Sequence, residues 1–119
     1  VVERLVHGQF VEPEPRHGGQ RQFDQGPTAI VKTDDGLTVM LTSRRMAPFS
    51  LHQLTDLGVD PTQFAAIVAK GVNAPLAAYQ QVCPVRIRVN TPGATTADLT
   101  RLDYRHRRRP MFPLDPAAG

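Results

Sequence analysis

The sequence predicts a single α/β domain: a mixed, mostly parallel sheet with short crossover helices and an antiparallel N-terminal hairpin region. Three observations carry that expectation. Two β-branched runs, PTAIVKT and LTVMLTS, are joined by Asp34-Asp35-Gly36, and Asp-Gly between such runs is a strong hairpin signal. Strand-length apolar runs at 38–43, 64–69 and 85–89 alternate with helix-capable stretches, the pattern of βαβ units. The length, 119 residues, suits one core and is too short for two.

In chain order, residues 1–25 form a β-rich lead-in and loop. VVERLV and QFV are strand-like and separated by His7-Gly8, read as a hairpin, and EPEPRHGGQ then breaks any regular pattern. Residues 26–90 form the α/β core. Within it, 28–33 pairs antiparallel with 38–43, and Val39-Met40-Leu41, apolar on both faces, belongs deep in a sheet. Ser50 is placed to cap a short helix in which Leu51, Leu54 and Leu57 recur at helical spacing and Gly58 ends it. FAAIVAK supplies the next strand, 64–69. Asn73 is placed to cap a second helix, APLAAYQQV, whose Pro75 is tolerated in a first turn. VRIRV (85–89) alternates strictly, with Val85, Ile87 and Val89 on one face and Arg86 and Arg88 on the other. Residues 91–119 form an extended C-terminal tail: a Thr-Pro-Gly turn, a helical turn over ADLTRL capped by Thr95 or Thr96, and a proline-punctuated end.

Charge and composition narrow the function classes. The formal charge is +3, but residues 101–109 hold five of fourteen Lys and Arg and one of eleven Asp and Glu, so the other 110 residues sum to −1. A nucleic-acid groove binder needs basic residues spread over a face, which this distribution lacks. One cysteine, Cys83, rules out an internal disulfide and any Cys-rich metal site. That usage fits a reducing, cytoplasmic location, and no apolar run approaches the roughly 20 residues of a membrane span. The start at Val1 rather than Met reads as a fragment or processed product.

No catalytic or metal-binding constellation emerges. His7, His17, His52 and His106 lie in separate segments without a partner ligand at i+3 or i+4 read as converging on a metal, Ser43 lacks a nucleophile-elbow context, and Gly18-Gly19 lacks a phosphate-loop spacing. Open parallel sheets bind ligands outside the carboxyl ends of their strands. On the predicted sheet those ends carry Arg44, Arg45, Lys70 and Asn73, a cationic edge suited to an anionic or peptide-carboxylate ligand. These four are the substrate-binding candidates; capping and loop solvation is the competing reading. Arg105, Arg107, Arg108, Arg109 and Phe112 are the interface candidates, with Met111, Phe112 and Leu114 expected to bury against the sheet or a partner.

The segments GPTAIVKTDDGLTVMLTSRRMAPFSLHQLTDLGVDP, VAKGVNAPLAAY and VNTPGATTADLTRLDYRHRRRPMFPLD together resemble the C-terminal domain of the MlrC (microcystinase C) family, metallopeptidase family M81, over about residues 1–115. The most specific parts are Thr42-Ser43-Arg44-Arg45, Lys70-Gly71 and the stretch from Thr91-Pro92-Gly93 to Arg108-Arg109-Pro110. The resemblance implies an accessory domain of a zinc-dependent peptidase or amidohydrolase acting on linearised microcystin or similar short peptides. It places the zinc ligands in a catalytic N-terminal domain, which would be this chain's partner. The chain itself is then expected to bind no zinc, to hold no catalytic residue and to be inactive alone. Where relatives carry His-Phe-Arg, this sequence has Asn73-Ala74-Pro75, so no His-dependent role carries over. Two alternatives stand beside this reading: a purely structural or dimerisation domain of the same enzyme, leaving homo-oligomerisation open, and a small nucleic-acid-binding module using 105–109.

Overall fold

The computed structural model describes all residues except Pro15, Val72, 92–95, Ala97 and 116–119. The chain divides into two units, Val1–Arg86 and Ile87–Gly119.

The first unit is built on a three-stranded antiparallel sheet of order β1-β2-β3, with β1 at Val2–Val11, β2 at Gln22–Lys32 and β3 at Thr38–Thr42. The Asp-Gly hairpin forms as expected, Val31 facing Val39 and Ala29 facing Leu41. Gly36 sits at φ 89°, a conformation that glycine adopts without a Cβ clash, and Thr33 closes the turn by accepting from the Gly36 and Leu37 amides.

The expected hairpin at His7-Gly8 does not form; β1 runs straight through it, with a register shift between His7 and Gln9. The reason is packing. A Cβ on Gly8 would lie 2.4 Å from both Gln25 Cγ and Thr28 Oγ1, so this glycine permits close approach of two strands at a bulge.

The mostly parallel sheet is also corrected. Residues 64–69 and 85–89 are not strands, and the described residues contain no parallel pairing. Parallel strands need both faces covered by crossover helices. The helices here, α1 at His52–Thr55 and α2 at Leu76–Tyr79, are single turns of four residues and cannot roof a sheet. Without neighbours the apolar runs stay in water: Val68 is 96% exposed and Ile87 81%.

The core lies on one face of the sheet. Phe10, Ile30, Phe49, Leu57, Ala78 and Tyr79 are buried, and Phe23 links Phe10 and Phe49 through ring centroids 5.2 and 4.8 Å apart. Arg4 fastens α1 to this face by donating to the Leu57 carbonyl at 2.6 Å.

In the second unit a helical turn forms at Leu99–Arg101, inside the expected 97–102, but Asp98 caps it by accepting from the Thr100 amide. The Thr-Pro-Gly turn and Thr95 lie outside the described residues. None of the helices among the described residues is long and apolar enough to cross a membrane.

Candidate functional site

Buried polar side chains, Glu12, Gln25, Thr28, Ser50 and Gln53, gather where the end of β1 and the middle of β2 meet the segment leading into α1. Ser50-Leu51-His52-Gln53 spells a capping box, and it operates as one: Ser50 Oγ accepts from the His52 amide at 3.1 Å, while Gln53 Oε1 accepts from the Ser50 and Phe49 amides. Gln53 Nε2 donates to the Ala47 carbonyl and, at 3.4 Å, to Gln25 Oε1, which ties α1 to β2. Ser50 was legible as a cap; the role of Gln53 was missed, although the Ser-x-x-Gln spacing announces it.

Glu12, at the end of β1, is buried beside this cluster. Its Oε1 accepts from the Glu14 amide at 3.0 Å, and its Oε2 is buried without a hydrogen bond. Burial pushes the carboxyl up; the Ser50 hydroxyl, the Glu14 amide and the charges of Arg16 and His52 outweigh it and hold the group below its ordinary range. His52 Nδ1 meets Asp56 Oδ1 at 2.8 Å, so His52 does have a carboxylate at i+4, which corrects the sequence expectation of none. Ser50, His52 and Asp56 do not make a hydrolase triad, because Ser50 is fully buried and its oxygen is engaged by a backbone amide.

Beside the cluster runs an open groove of about 700 Å³, walled by Gln9, Gln22, Phe23 and Met46, with Asp24 and Asp56 among its carboxylates. Asp24 is held below its ordinary range first by the Gly26 amide, with Arg44 and His7 adding to it. Arg44 reaches Asp24 Oδ2 at 2.6 Å.

None of the four predicted substrate contacts lines this groove, and no hydrogen bond or ion pair joins them. Arg44 is committed to Asp24, whereas Arg45, Lys70 and Asn73 are exposed. The carboxyl edge expected to gather them depends on parallel strands, so that edge does not form. Gly71 instead sets its segment against Pro48 and Pro75.

Of the interface candidates, Arg107 makes a two-point ion pair with Asp115, with Nη2 to Oδ1 at 2.8 Å and Nη1 on Oδ2. The pair raises the Arg107 pKa and holds the Asp115 carboxyl far below the usual range, helped by the Met111 amide. Arg105 pairs with Asp103 at 3.0 Å, and Arg108 and Arg109 are exposed. Phe112 is 78% exposed, so within this chain it does not anchor the tail; Arg107 does.

Among the described residues no group of three His, Cys, Asp or Glu is placed to hold a metal ion. These residues do not fit a zinc centre of three or four converging ligands.

Comparison with known proteins agrees with the sequence resemblance. No curated protein and no solved structure matches the chain. The model of the family described as MlrC C-terminus matches residues 1–106, stopping short of the Arg107–Asp115 closure. With every strand and helical turn of the described residues inside that match, the chain belongs to the MlrC C-terminus family.

Proposed function

We propose that this chain is the accessory C-terminal domain of a zinc-dependent peptidase or amidohydrolase acting on linearised microcystin or similar short peptides. In this reading it packs on a catalytic N-terminal domain that supplies the zinc ligands, and it is inactive alone. The observation that carries the reading is the family match over residues 1–106, which names a C-terminal part of MlrC-type proteins. Arg45 and Lys70, whose cationic heads are exposed and uncommitted, are the residues through which the domain would touch a substrate carboxylate.

The test uses the polypeptide that joins this domain to its proposed catalytic domain. It should hydrolyse a linearised peptide in a chelator-sensitive manner, while the 119-residue chain with added zinc should not. Arg45→Ala and Lys70→Ala should raise KM with kcat little changed if they meet substrate. Hydrolysis by the chain alone, or a joined polypeptide indifferent to chelator, overturns the reading.

A further inference from the structure

An antiparallel sheet with one solvated face alternates apolar and polar residues along its strands. This sheet does not. Pairing fixes which side chains share a face, and Leu5, Ala29 and Leu41 stand in one row across the three strands, with Val2, Val31 and Val39 in the next. The opposite face carries Thr28 and Ile30, both buried, and Arg4, which holds α1 there. The face bearing the six aliphatic residues is therefore the one away from the core. Leu5 is 75% exposed, Val2 60% and Leu41 55%.

We infer that this outer sheet face is the surface by which the domain docks on an uncharged, aliphatic surface of another domain in the same polypeptide. The inference rests on the accessory-domain reading above and adds the site of contact. Size selects the occupant. A stable complex of separate proteins uses about 20–30 residues a side, and this face offers six, too few for a free-standing dimer of the chain. Contacts between domains of one chain are held with less, because the covalent link supplies an effective concentration of order mM. Chemistry selects its character: the six aliphatic positions, with the exposed Glu3 of the β1 bulge at their rim, gain most from contact with a surface free of charges and hydrogen-bonding groups, a helix stripe or a second sheet layer.

Hydroxyl-radical footprinting of the joined polypeptide, read together with small-angle X-ray scattering, tests this on the native sequence. Leu5 and Leu41 should be oxidised several-fold more slowly than in the urea-unfolded polypeptide, in a particle too compact for two free bodies. Leu5→Asp should restore rapid oxidation of Leu41 and enlarge the particle, while the far-ultraviolet spectrum stays unchanged. A compact particle in which Leu5 and Leu41 react at the unfolded rate overturns the inference and leaves the accessory-domain reading standing. Scattering from two independent bodies removes that reading and the inference with it. Protection that disappears on dilution would identify a second copy as the occupant and overturn the assignment made here.

Discussion

At the scale of the residue, two glycines with different neighbours illustrate different constraints. Gly8→Ala would push a Cβ to 2.4 Å from Gln25 Cγ and Thr28 Oγ1 and 2.8 Å from the Gly26 carbonyl, backbone and buried side chains that have little room to move. It should cost about 1–3 kcal/mol, as overpacking does. Gly36→Ala meets nothing within 4 Å but keeps φ at 89°, so it should cost about 1–2 kcal/mol through conformation alone. Urea midpoints rank the two, and a Gly8→Ala protein of native stability would contradict the bulge. Glu12 gives a pH signature. Its folded-state carboxyl lies below its ordinary value of 4.5, so the unfolded chain binds the proton first as pH falls. The stabilisation is therefore fully present above that value and drains away below it. Glu12→Gln should be less stable than wild type at pH 7, and the gap should narrow in acid; a gap constant with pH would show that the charge contributes nothing.

Among the elements, α1 is held by its cap more than by its length. A single turn has almost no propagation to offset nucleation. Ser50→Ala should cost about 1 kcal/mol, the usual value of an N-cap. Gln53→Ala strands the Ser50 amide in a buried place and should cost about 1–3 kcal/mol. Because the two side chains act on one turn, the double variant should lose less than the sum. In the second unit, Arg107→Ala should free residues 107–115, seen as loss of amide dispersion by NMR, whereas Phe112→Ala should leave them in place. The hairpin and the Ser50 cap were legible because each depends on residues within a few positions of one another: Asp35-Gly36 for the turn, Ser50 for the helix start it precedes. The parallel strands were misread because Ile87 and Val68 carry strand composition whatever lies beside them, and composition does not say which surface they will meet. His7-Gly8 was misread for a related reason. Its glycine answers to Gln25 and Thr28, well over a dozen positions away, a proximity that no local window contains.

For the whole molecule, the cationic tail sets the last expectation. The excess charge sits in residues 101–109, and the structure neutralises part of it internally: Arg105 on Asp103 and Arg107 on Asp115. Arg108 and Arg109 are left with Arg101 to meet an outside anion, and the remaining 110 residues, at −1, would repel a phosphate backbone. Each neutralised phosphate contributes about 0.9 to the slope of log K against log salt. A duplex held by three arginines would therefore show a slope near −3 and, with no wider basic face, weak affinity even at low salt. Fluorescence titration with double-stranded DNA should accordingly give no sub-micromolar binding at physiological salt. Tight binding with a slope well beyond −3 would mean that cations elsewhere in the chain converge on one face, and the nucleic-acid reading would displace the accessory-domain reading. Replacing Asp115 by Asn sharpens the comparison, because it releases Arg107 from its internal pair. If the ion pair is what withholds that charge, the slope should steepen by about one phosphate equivalent, and an unchanged slope would show that Arg107 was never withheld.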